Sequence, residues 1–336
     1  MEFESAEKRV EICVKQESLA FVDLRQFDAA FWRTALAKAG AFILSKMSHQ
    51  LCDAYVLSES SLFVWQDRVL LITCGDTSLV DTALEIVTAI GSEHLQSVSY
   101  QRQHEVFAHR QSRSFSHDVQ CLTRVLPGEA YRMGHLDGHH QHLFVHGKLS
   151  EACAYSALHL YQIKGELSQY LRGDEQDKQA IFAQLQLDEL LPEFSFDTHL
   201  FSPCGYSLNA VSQKHYLTLH ITPQLPNSYL SLETNLADGN RLEMIAAHLL
   251  TLFRPSSWDV SGFDMSRCNM GSCAEPVSQS ASLSQSSAQT SMKSLLDEYR
   301  RLSQSRLAVN NHVGIYTEHY RQTECEIIQP VTLLTE

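Results

Sequence analysis

The feature that most constrains the fold is an apolar segment that contains small hydroxyl side chains around one carboxylate, followed closely by a second apolar segment. These segments are residues 55–64 (YVLSESSLFV) and residues 71–75 (LITCG). Apolar and β-branched runs that are bounded by Ser, Glu and Gly are typical of strands and their turns. The local pattern therefore predicts a β-hairpin with a serine-rich connection. By itself this pattern indicates no chemistry.

The rest of the chain alternates strands with a few separated amphipathic helices. In each half, a strand leads into a clear helix, at 71–74 into 79–90 and at 229–232 into 242–253, which indicates an internal duplication. Many strands with few helices favour an antiparallel α+β fold. Further helices are predicted at 27–41, 117–126, 181–191 and 295–307, and further strands at 9–14, 97–102, 130–133, 142–145, 153–163, 206–211, 215–222 and 313–316.

Composition excludes several classes of protein. A formal net charge of −13 argues against a nucleic acid or an anionic membrane as partner and favours a cationic ligand. Nine scattered cysteines without a CxxC pair indicate reduced thiols in the cytosol rather than a disulfide framework. The acidic N-terminus has no signal-peptide core, and no apolar run approaches the ~18 residues of a membrane span. We therefore expect a cytoplasmic protein without a membrane partner.

Five separated segments, in the same order, resemble the S-adenosylmethionine decarboxylase family of eukaryotic type. The resemblance spans most of the chain, from residue 3 to residue 320. It implies a single catalytic domain over residues 1–336, folded as a four-layer αββα sandwich of two similar halves with antiparallel sheets. Residues 271–292, rich in Ser, Gln and Ala, are predicted to be a disordered loop within it. The matching segments are 3–11, 55–74, 201–209 (FSPCGYSLN, against FNPCGYSMN in the family), 220–223 (HITP) and 229–235.

The resemblance implies that the chain is a zymogen that cleaves itself between Glu59 and Ser60. Oγ of Ser60 would attack the Glu59 carbonyl to form an ester. Loss of the Cα proton would then expel the acyl group, and hydrolysis of the dehydroalanine would leave a pyruvoyl group and ammonia. The products would be a small chain, 1–59, and a large chain, 60–336. The covalent pyruvoyl cofactor would form a Schiff base with the amine of S-adenosylmethionine and act as electron sink for decarboxylation in spermidine and spermine synthesis.

Four side chains receive catalytic roles from the resemblance. Cys74 would protonate the product carbanion, although a free cysteine is more often a small buried hydrophobe. Ser207 would assist backbone cleavage by hydrogen bonding near the ester, and His220 would remove the α-proton. Taken alone, both would be ordinary strand residues. Glu7, together with Glu4, matches acids that the family keeps near the site, and otherwise both would be solvated charges.

The substrate-binding residues also follow from the resemblance. Phe3 and Phe201 match two phenylalanines that sandwich adenine, and aromatic faces also attract a sulfonium cation. Glu59 would present backbone groups to the adenine edge. Gln224 stands where the family has a glutamate for the ribose hydroxyls. An amide oxygen accepts one hydrogen bond without charge assistance, so we expect ribose binding to be weaker by about 1–2 kcal/mol.

The activator site that binds putrescine in the animal enzymes is mostly missing. Its acids are replaced by Ala152 and Ser156, and its buried lysine is replaced by Ile72. Arg9 stands where plant members, which need no putrescine, also carry a basic residue. We therefore expect no activation by putrescine. The acids that remain from this cluster are Glu11 and Glu233.

A histidine-rich segment, residues 135–146, invites a metal-binding interpretation. We expect no metal, because no second ligand cluster stands out in the sequence, and we interpret the segment as a solvated hairpin.

Three alternatives remain open for the function. They are decarboxylation of another amino acid, a non-catalytic regulatory paralogue, and a binding protein in which the matching residues are inherited but have no catalytic function. Regulatory homologues typically lose the processing serine, whereas Ser60 is present here. Family members occur as dimers and as monomers, so a homodimer also remains open.

Overall fold

The computed structural model describes residues 6–105, 108–135, 138–264, 297–309 and 313–323. Phe3, Glu4 and the loop predicted at 271–292 lie outside these residues. The described chain folds into two antiparallel β-sheets with helices on their outer faces. None of the helices in the described ranges has the length and hydropathy needed to cross a membrane.

The first sheet comes from the first half of the chain. Among the described residues its strand order is β2-β3-β4-β5-β1-β6-β8-β7, and every neighbouring pair is antiparallel. The strands are β1 (Lys8–Val14), β2 (Ile43–Ser48), β3 (Asp53–Leu57), β4 (Ser60–Val64), β5 (Arg68–Thr73), β6 (Leu95–Gln103), β7 (Gly128–Gly134) and β8 (His140–Gly147), and the helices are α1 (Ala29–Ala37), α2 (Leu79–Ile90) and α3 (Phe115–Thr123).

The second sheet comes from the second half. Its order in the described ranges is β10-β11-β12-β13-β9-β14-β16-β15, again antiparallel throughout. The strands are β9 (Tyr155–Tyr161), β10 (Ser195–Leu200), β11 (Tyr206–Ser212), β12 (His215–Thr222), β13 (Tyr229–Thr234), β14 (Ser257–Asp264), β15 (Tyr299–Val309) and β16 (Val313–Gln322), and the helices are α4 (Glu166–Tyr170), α5 (Lys178–Leu185), α6 (Leu187–Leu190) and α7 (Gly239–Phe253).

The two sheets have the same strand order. If strands are numbered within each half, both sheets read 2-3-4-5-1-6-8-7. This identity supports the internal duplication that the sequence indicated from its two strand-to-helix transitions. The predicted antiparallel α+β fold is confirmed, and so is its arrangement as a sandwich.

The apolar residues separate into layers. One cluster packs α1, α2 and α3 on the outer face of the first sheet, and a second packs α4–α7 on the second sheet. Helix α2 buries Leu79, Ala83 and Ile86 in this way, and a fully buried aliphatic side chain stabilises the fold by roughly 1.5–3 kcal/mol. Two further clusters lie between the sheets, where residues of both halves meet. The layers are therefore helix, sheet, sheet and helix.

One secondary-structure prediction is wrong. Residues 295–307 were predicted to be helical, but from Tyr299 onwards the chain forms the long strand β15, which pairs with β16. Burial alternates along β15 with a period of two, from Ser303 to Leu307. The strand lies at the edge of the sheet. Leu302 lies on its exposed face and Ser303 and Ser305 lie on its less exposed face, so the sequence of β15 lacks the alternation of apolar and polar residues that identifies a strand.

Candidate active site

The connection between β3 and β4 carries the backbone bond that the sequence singles out. Ser60 has φ = 151°, a region that residues other than glycine rarely adopt. The backbone N–H of Cys74 donates to the Glu59 carbonyl oxygen at 3.2 Å, and its Sγ lies 3.6 Å from the same oxygen. The peptide between Glu59 and Ser60 is thus conformationally strained, and its carbonyl is held by two donors. Both features are consistent with the predicted attack on this carbonyl.

The second sheet supplies the neighbouring side chains. Ser207 on β11 and His220 on β12 are directly opposed, and Oγ of Ser207 lies 2.7 Å from Nδ1 of His220. Burial lowers the pKa of His220 to about 3, so the ring is neutral at neutral pH. A neutral imidazole has a lone pair that can accept a proton, but a pKa this low makes His220 a weaker base than the near-neutral histidine that the predicted role favours.

A hydroxyl and amide network surrounds the other nitrogen of His220, and sequence reasoning missed it. Oγ1 of Thr218 lies 2.8 Å from Nε2, and Oγ of Ser61 lies 3.2 Å from it. Ser61 also donates to Oδ1 of Asn209 at 2.6 Å, and Thr218 lies 2.9 Å from that oxygen. The amide of Asn209 donates to the Tyr55 carbonyl at 3.0 Å, which ties β11 to β3 across the sheets.

Ser60 itself enters none of these bonds. In the described part of the chain, its hydroxyl has no hydrogen-bond partner, although the residue is 4% exposed. It lines a cavity of about 160 Å³ together with Cys74, Ser207 and His220. The structure therefore gathers these four predicted residues, two from each sheet, around one space. The hydrogen bond to the imidazole comes from the next residue, Ser61.

Three of the predicted substrate-binding residues also line this cavity. Phe201 lies at its wall, with its ring 4.7 Å from that of His199. Gln224 places Oε1 in a buried position where the described residues offer it no hydrogen-bond partner. A buried acceptor without a partner is costly, so this oxygen fits a hydroxyl donor from a ligand. Glu59 belongs to the same lining.

Cys74 has the properties of a proton donor. Burial, followed by the nearby charges of Glu59 and Glu7, raises the pKa of the Cys74 thiol well above its ordinary value. The thiol therefore stays protonated at neutral pH. Its placement beside Ser60 fits the acid role that was assigned to it.

Glu7 lies deeper between the sheets and does not line this cavity. Its backbone N–H donates to Gln103 at 3.2 Å, and it shares a small cavity with Arg9, His159 and Glu233. Burial, followed by the charge of Glu233, raises the pKa of Glu7 to about 8. Glu7 is buried, so the alternative of a solvated charge is wrong. A catalytic role for Glu7 stays a prediction.

The region that matches the activator site is filled by charged side chains of the chain itself. Nε of Arg9 donates to both carboxylate oxygens of Glu233, at 3.0 and 3.1 Å, and Nη2 donates to Glu11 at 3.2 Å. Arg68, which sequence reasoning missed, donates to Glu11 at 3.3 Å and to the Ala152 carbonyl. Two guanidinium groups thus neutralise the two retained carboxylates.

Comparisons with known proteins show the family and the fold. Residues 1–320 match the family described as "Adenosylmethionine decarboxylase". The S-adenosylmethionine decarboxylase proenzyme of Leishmania donovani is 31% identical over 280 residues, which cover 78% of this chain and 73% of that protein. The corresponding proenzyme of Drosophila melanogaster is 28% identical over 293 residues, or 80% of this chain and 84% of that protein. The Trypanosoma brucei AdoMetDC-delta26 monomer has the same fold, with a TM-score of 0.56, 21% identity and coverage of 78% of this chain and 99% of that one.

Proposed function

The chain belongs to the adenosylmethionine decarboxylase family, and we propose that it decarboxylates S-adenosylmethionine after cleaving itself between Glu59 and Ser60. The observation that carries the proposal is the strained backbone of Ser60 beside a carbonyl that accepts from Cys74. Homologues are made as proenzymes, which is consistent with maturation by cleavage. The product, decarboxylated S-adenosylmethionine, supplies aminopropyl groups for polyamine synthesis.

Cleavage begins when Oγ of Ser60 adds to the carbonyl carbon of Glu59. The developing negative charge on the Glu59 oxygen is stabilised by the N–H of Cys74, which already donates to it. The carbon–nitrogen bond then breaks, the nitrogen keeps the hydroxyl proton as part of an amine, and an ester joins Glu59 to Oγ of Ser60. This exchange relieves the unfavourable φ of Ser60.

His220 serves the second stage. Its neutral ring takes the Cα proton of residue 60, the bond between Cβ and Oγ breaks, and the Glu59 carboxylate leaves. Water then replaces the nitrogen, which departs as ammonia, and a pyruvoyl group remains at residue 60. Ser207 holds Nδ1 of His220 at 2.7 Å, and this contact orients the imidazole for the transfer. The lining that Ser60 shares with Ser207 and His220 supports these assignments.

In the decarboxylation, the pyruvoyl group supplies an electron-withdrawing carbonyl that binds the substrate amine. The residues of the chain bind the substrate and supply the proton. Phe201 stacks on the adenine, Gln224 accepts from a ribose hydroxyl through Oε1, and the Glu59 backbone meets the adenine edge. Cys74 donates its thiol proton to the carbon that loses carbon dioxide. Phe3 and Glu4 keep their proposed places at the substrate, although they lie outside the described residues.

Both fragments stay in one two-half domain after cleavage. The small chain, 1–59, contributes β1, β2 and β3. Strand β1 lies between β5 and β6, and β3 pairs with β4, so three ladders of hydrogen bonds join the small chain to the large chain, 60–336. Separation would expose these ladders and the apolar cluster around them. We propose that the fragments remain associated without a covalent link.

The intact mass of the purified protein under denaturing conditions tests the proposal. We expect fragments 1–59 and 60–336, with the larger one blocked at its N-terminus, and release of labelled carbon dioxide from carboxyl-labelled S-adenosylmethionine. Ser60→Ala should stay uncut. A wild-type chain that stays uncut would overturn self-cleavage and favour a regulatory paralogue. A cleaved chain that releases carbon dioxide only from another amino acid would overturn the proposed substrate alone.

A further inference from the structure

A second polar cluster, far from Ser60 in sequence, lies where the two halves meet. His139 precedes β8 of the first sheet, while Asp259 and His319 oppose each other on β14 and β16 of the second. One oxygen of Asp259 lies 2.8 Å from Nδ1 of His139, and the other lies 2.5 Å from Nδ1 of His319. Histidine nitrogens and a carboxylate from separate strands thus converge. From this convergence we propose that His139, Asp259 and His319 form a binding site for a divalent transition-metal ion, with Zn²⁺ as the preferred occupant.

The spacing of the ligand atoms supports the assignment. One atom from each of the three side chains lies within 4.8 Å of the others. Tetrahedral zinc, with bonds of about 2.0 Å, holds its ligand atoms about 3.3 Å apart. An ion therefore requires each imidazole to move from the carboxylate by less than about 1 Å. His139, whose side chain is 35% exposed, lies at the end of a hairpin and has room for this movement.

The charge of the cluster calls for a cation. Asp259 is 4% exposed, and its partners in the described part of the chain are His139, His319 and the hydroxyl of Tyr161 at 2.9 Å. None of these groups carries a permanent positive charge. A buried carboxylate is costly unless a positive group balances it. A divalent ion that replaces the two imidazole protons would supply this balance.

The surroundings offer the remaining coordination position. A cavity of about 50 Å³ adjoins the cluster and is lined by His104, His139, Tyr161 and Asp259. It is large enough for a water molecule, which needs roughly 10–15 Å³ of such volume. Two histidines, one carboxylate and one water form a set that zinc commonly takes in proteins. His104, whose ring lies 6.2 Å from that of His139, borders this open position.

The cluster is also connected to the candidate active site by a row of polar residues across the second sheet. Successive cross-strand pairs link His319 to Asp259, Asp259 to His159, His159 to Ser231, and Ser231 to His220. An ion at one end of this row would join the two sheets at the edge away from Ser60. The proposed role of the metal is therefore structural, and it does not depend on the proposed decarboxylase reaction.

Metal content of an untagged chain tests the site directly. After incubation with zinc sulfate and dialysis against metal-free buffer, we expect the wild type to retain one zinc ion per chain and to melt several degrees higher than the apo protein. Asp259→Asn and His319→Gln should lose the retained zinc. His146→Gln is the matched control, because His146 lies on the same hairpin and bonds the Pro127 carbonyl instead. It should keep the ion.

Two outcomes would overturn the proposal. One is a wild type that retains no zinc. The other is zinc that persists in Asp259→Asn and His319→Gln, which would assign it to the histidine-rich hairpin. Should these variants fail to fold, the absorption of the Co²⁺-loaded wild type decides instead. Intense ligand-field bands of a four-coordinate nitrogen and oxygen site are expected, and the weak bands of six-coordinate cobalt would contradict the site.

Discussion

The hydroxyl of Ser61 lies 3.2 Å from Nε2 of His220, and this contact joins the strand that begins at the proposed cleavage site to the strand that carries the histidine. On its other side, the ring meets Ser207 at 2.7 Å. A neutral imidazole donates from one nitrogen and accepts at the other. The hydroxyl groups around His220 therefore decide which nitrogen can take the proton of residue 60.

Thr218→Val should slow self-cleavage. The substitution keeps the shape of the side chain but removes the hydroxyl that lies 2.8 Å from Nε2 of His220. Loss of one orienting hydrogen bond, worth about 1 kcal/mol, corresponds to a rate lower by roughly fivefold. The time course of fragment formation in freshly synthesised chain measures it. Thr88→Val removes an exposed hydroxyl that bonds only its own helix and should cleave at the wild-type rate. Equal rates for both variants would contradict a role for Thr218.

Gln224→Glu should strengthen substrate binding. Oε1 of Gln224 is buried at the cavity, and a carboxylate in this place forms a charge-assisted hydrogen bond with a ribose hydroxyl. We expect KM for S-adenosylmethionine to fall about tenfold while kcat changes little. Gln120→Glu, at an exposed position on α3, controls for the added charge. An unchanged KM would show that Gln224 does not bind the substrate.

Putrescine at millimolar concentration should leave the wild-type rate unchanged, because Arg9 already occupies the space between Glu11 and Glu233. Arg9→Leu should lower the free energy of unfolding by about 3–5 kcal/mol, since it leaves buried carboxylates without this partner. The diamine should then raise the melting temperature of the variant. Arg33→Leu, at an exposed position, should show neither effect. A severalfold activation of the wild type by putrescine would contradict the closed site.

Glu7 should make stability depend on pH in the neutral range. Its pKa is about 8 in the folded protein against 4.5 for the free side chain, so the folded state holds the proton more tightly. The stabilisation is complete below about pH 4.5 and is lost as the pH rises through about 8, at up to about 1.4 kcal/mol per pH unit. The pKa of His220 is lowered to about 3, so the folded protein becomes less stable as the pH falls below 6.5. Denaturant unfolding between pH 6.5 and 8 therefore avoids the range in which His220 lowers the stability and includes the range in which Glu7 does.

Glu7→Gln is the variant for this measurement. The amide cannot ionise, so the slope of unfolding free energy against pH should flatten in that interval. Glu17→Gln, at an exposed position, should keep the wild-type slope. If Glu7→Gln shows the wild-type slope, the loss of stability belongs to another buried group in this region, of which Glu233 is the first candidate.

Local patterns predicted much of the architecture. The helix at 79–90 has the observed bounds of α2, and the strands around Ser60 are those of the hairpin. These predictions succeeded because apolar periodicity and turn residues act over a few neighbouring positions. Strand β15 was mistaken for a helix because its exposed face carries Leu302 and its less exposed face carries Ser303 and Ser305, so its apolar residues do not alternate.

The sequence by itself identified the family and the antiparallel α+β class, and it predicted the cleavage site and the residues Ser60, Cys74, Ser207 and His220, which the structure places around one cavity. Only the tertiary structure decided that Ser61 and Asn209 form a hydrogen bond, although they are 148 positions apart. The same holds for the ion pair of Arg68 with Glu11. It also holds for the contacts of Asp259 with His139 and His319. Such contacts depend on strand register and on how one sheet lies over the other. Register and stacking arise from the packing of the whole core, so the residues that they bring together carry no local sign of each other.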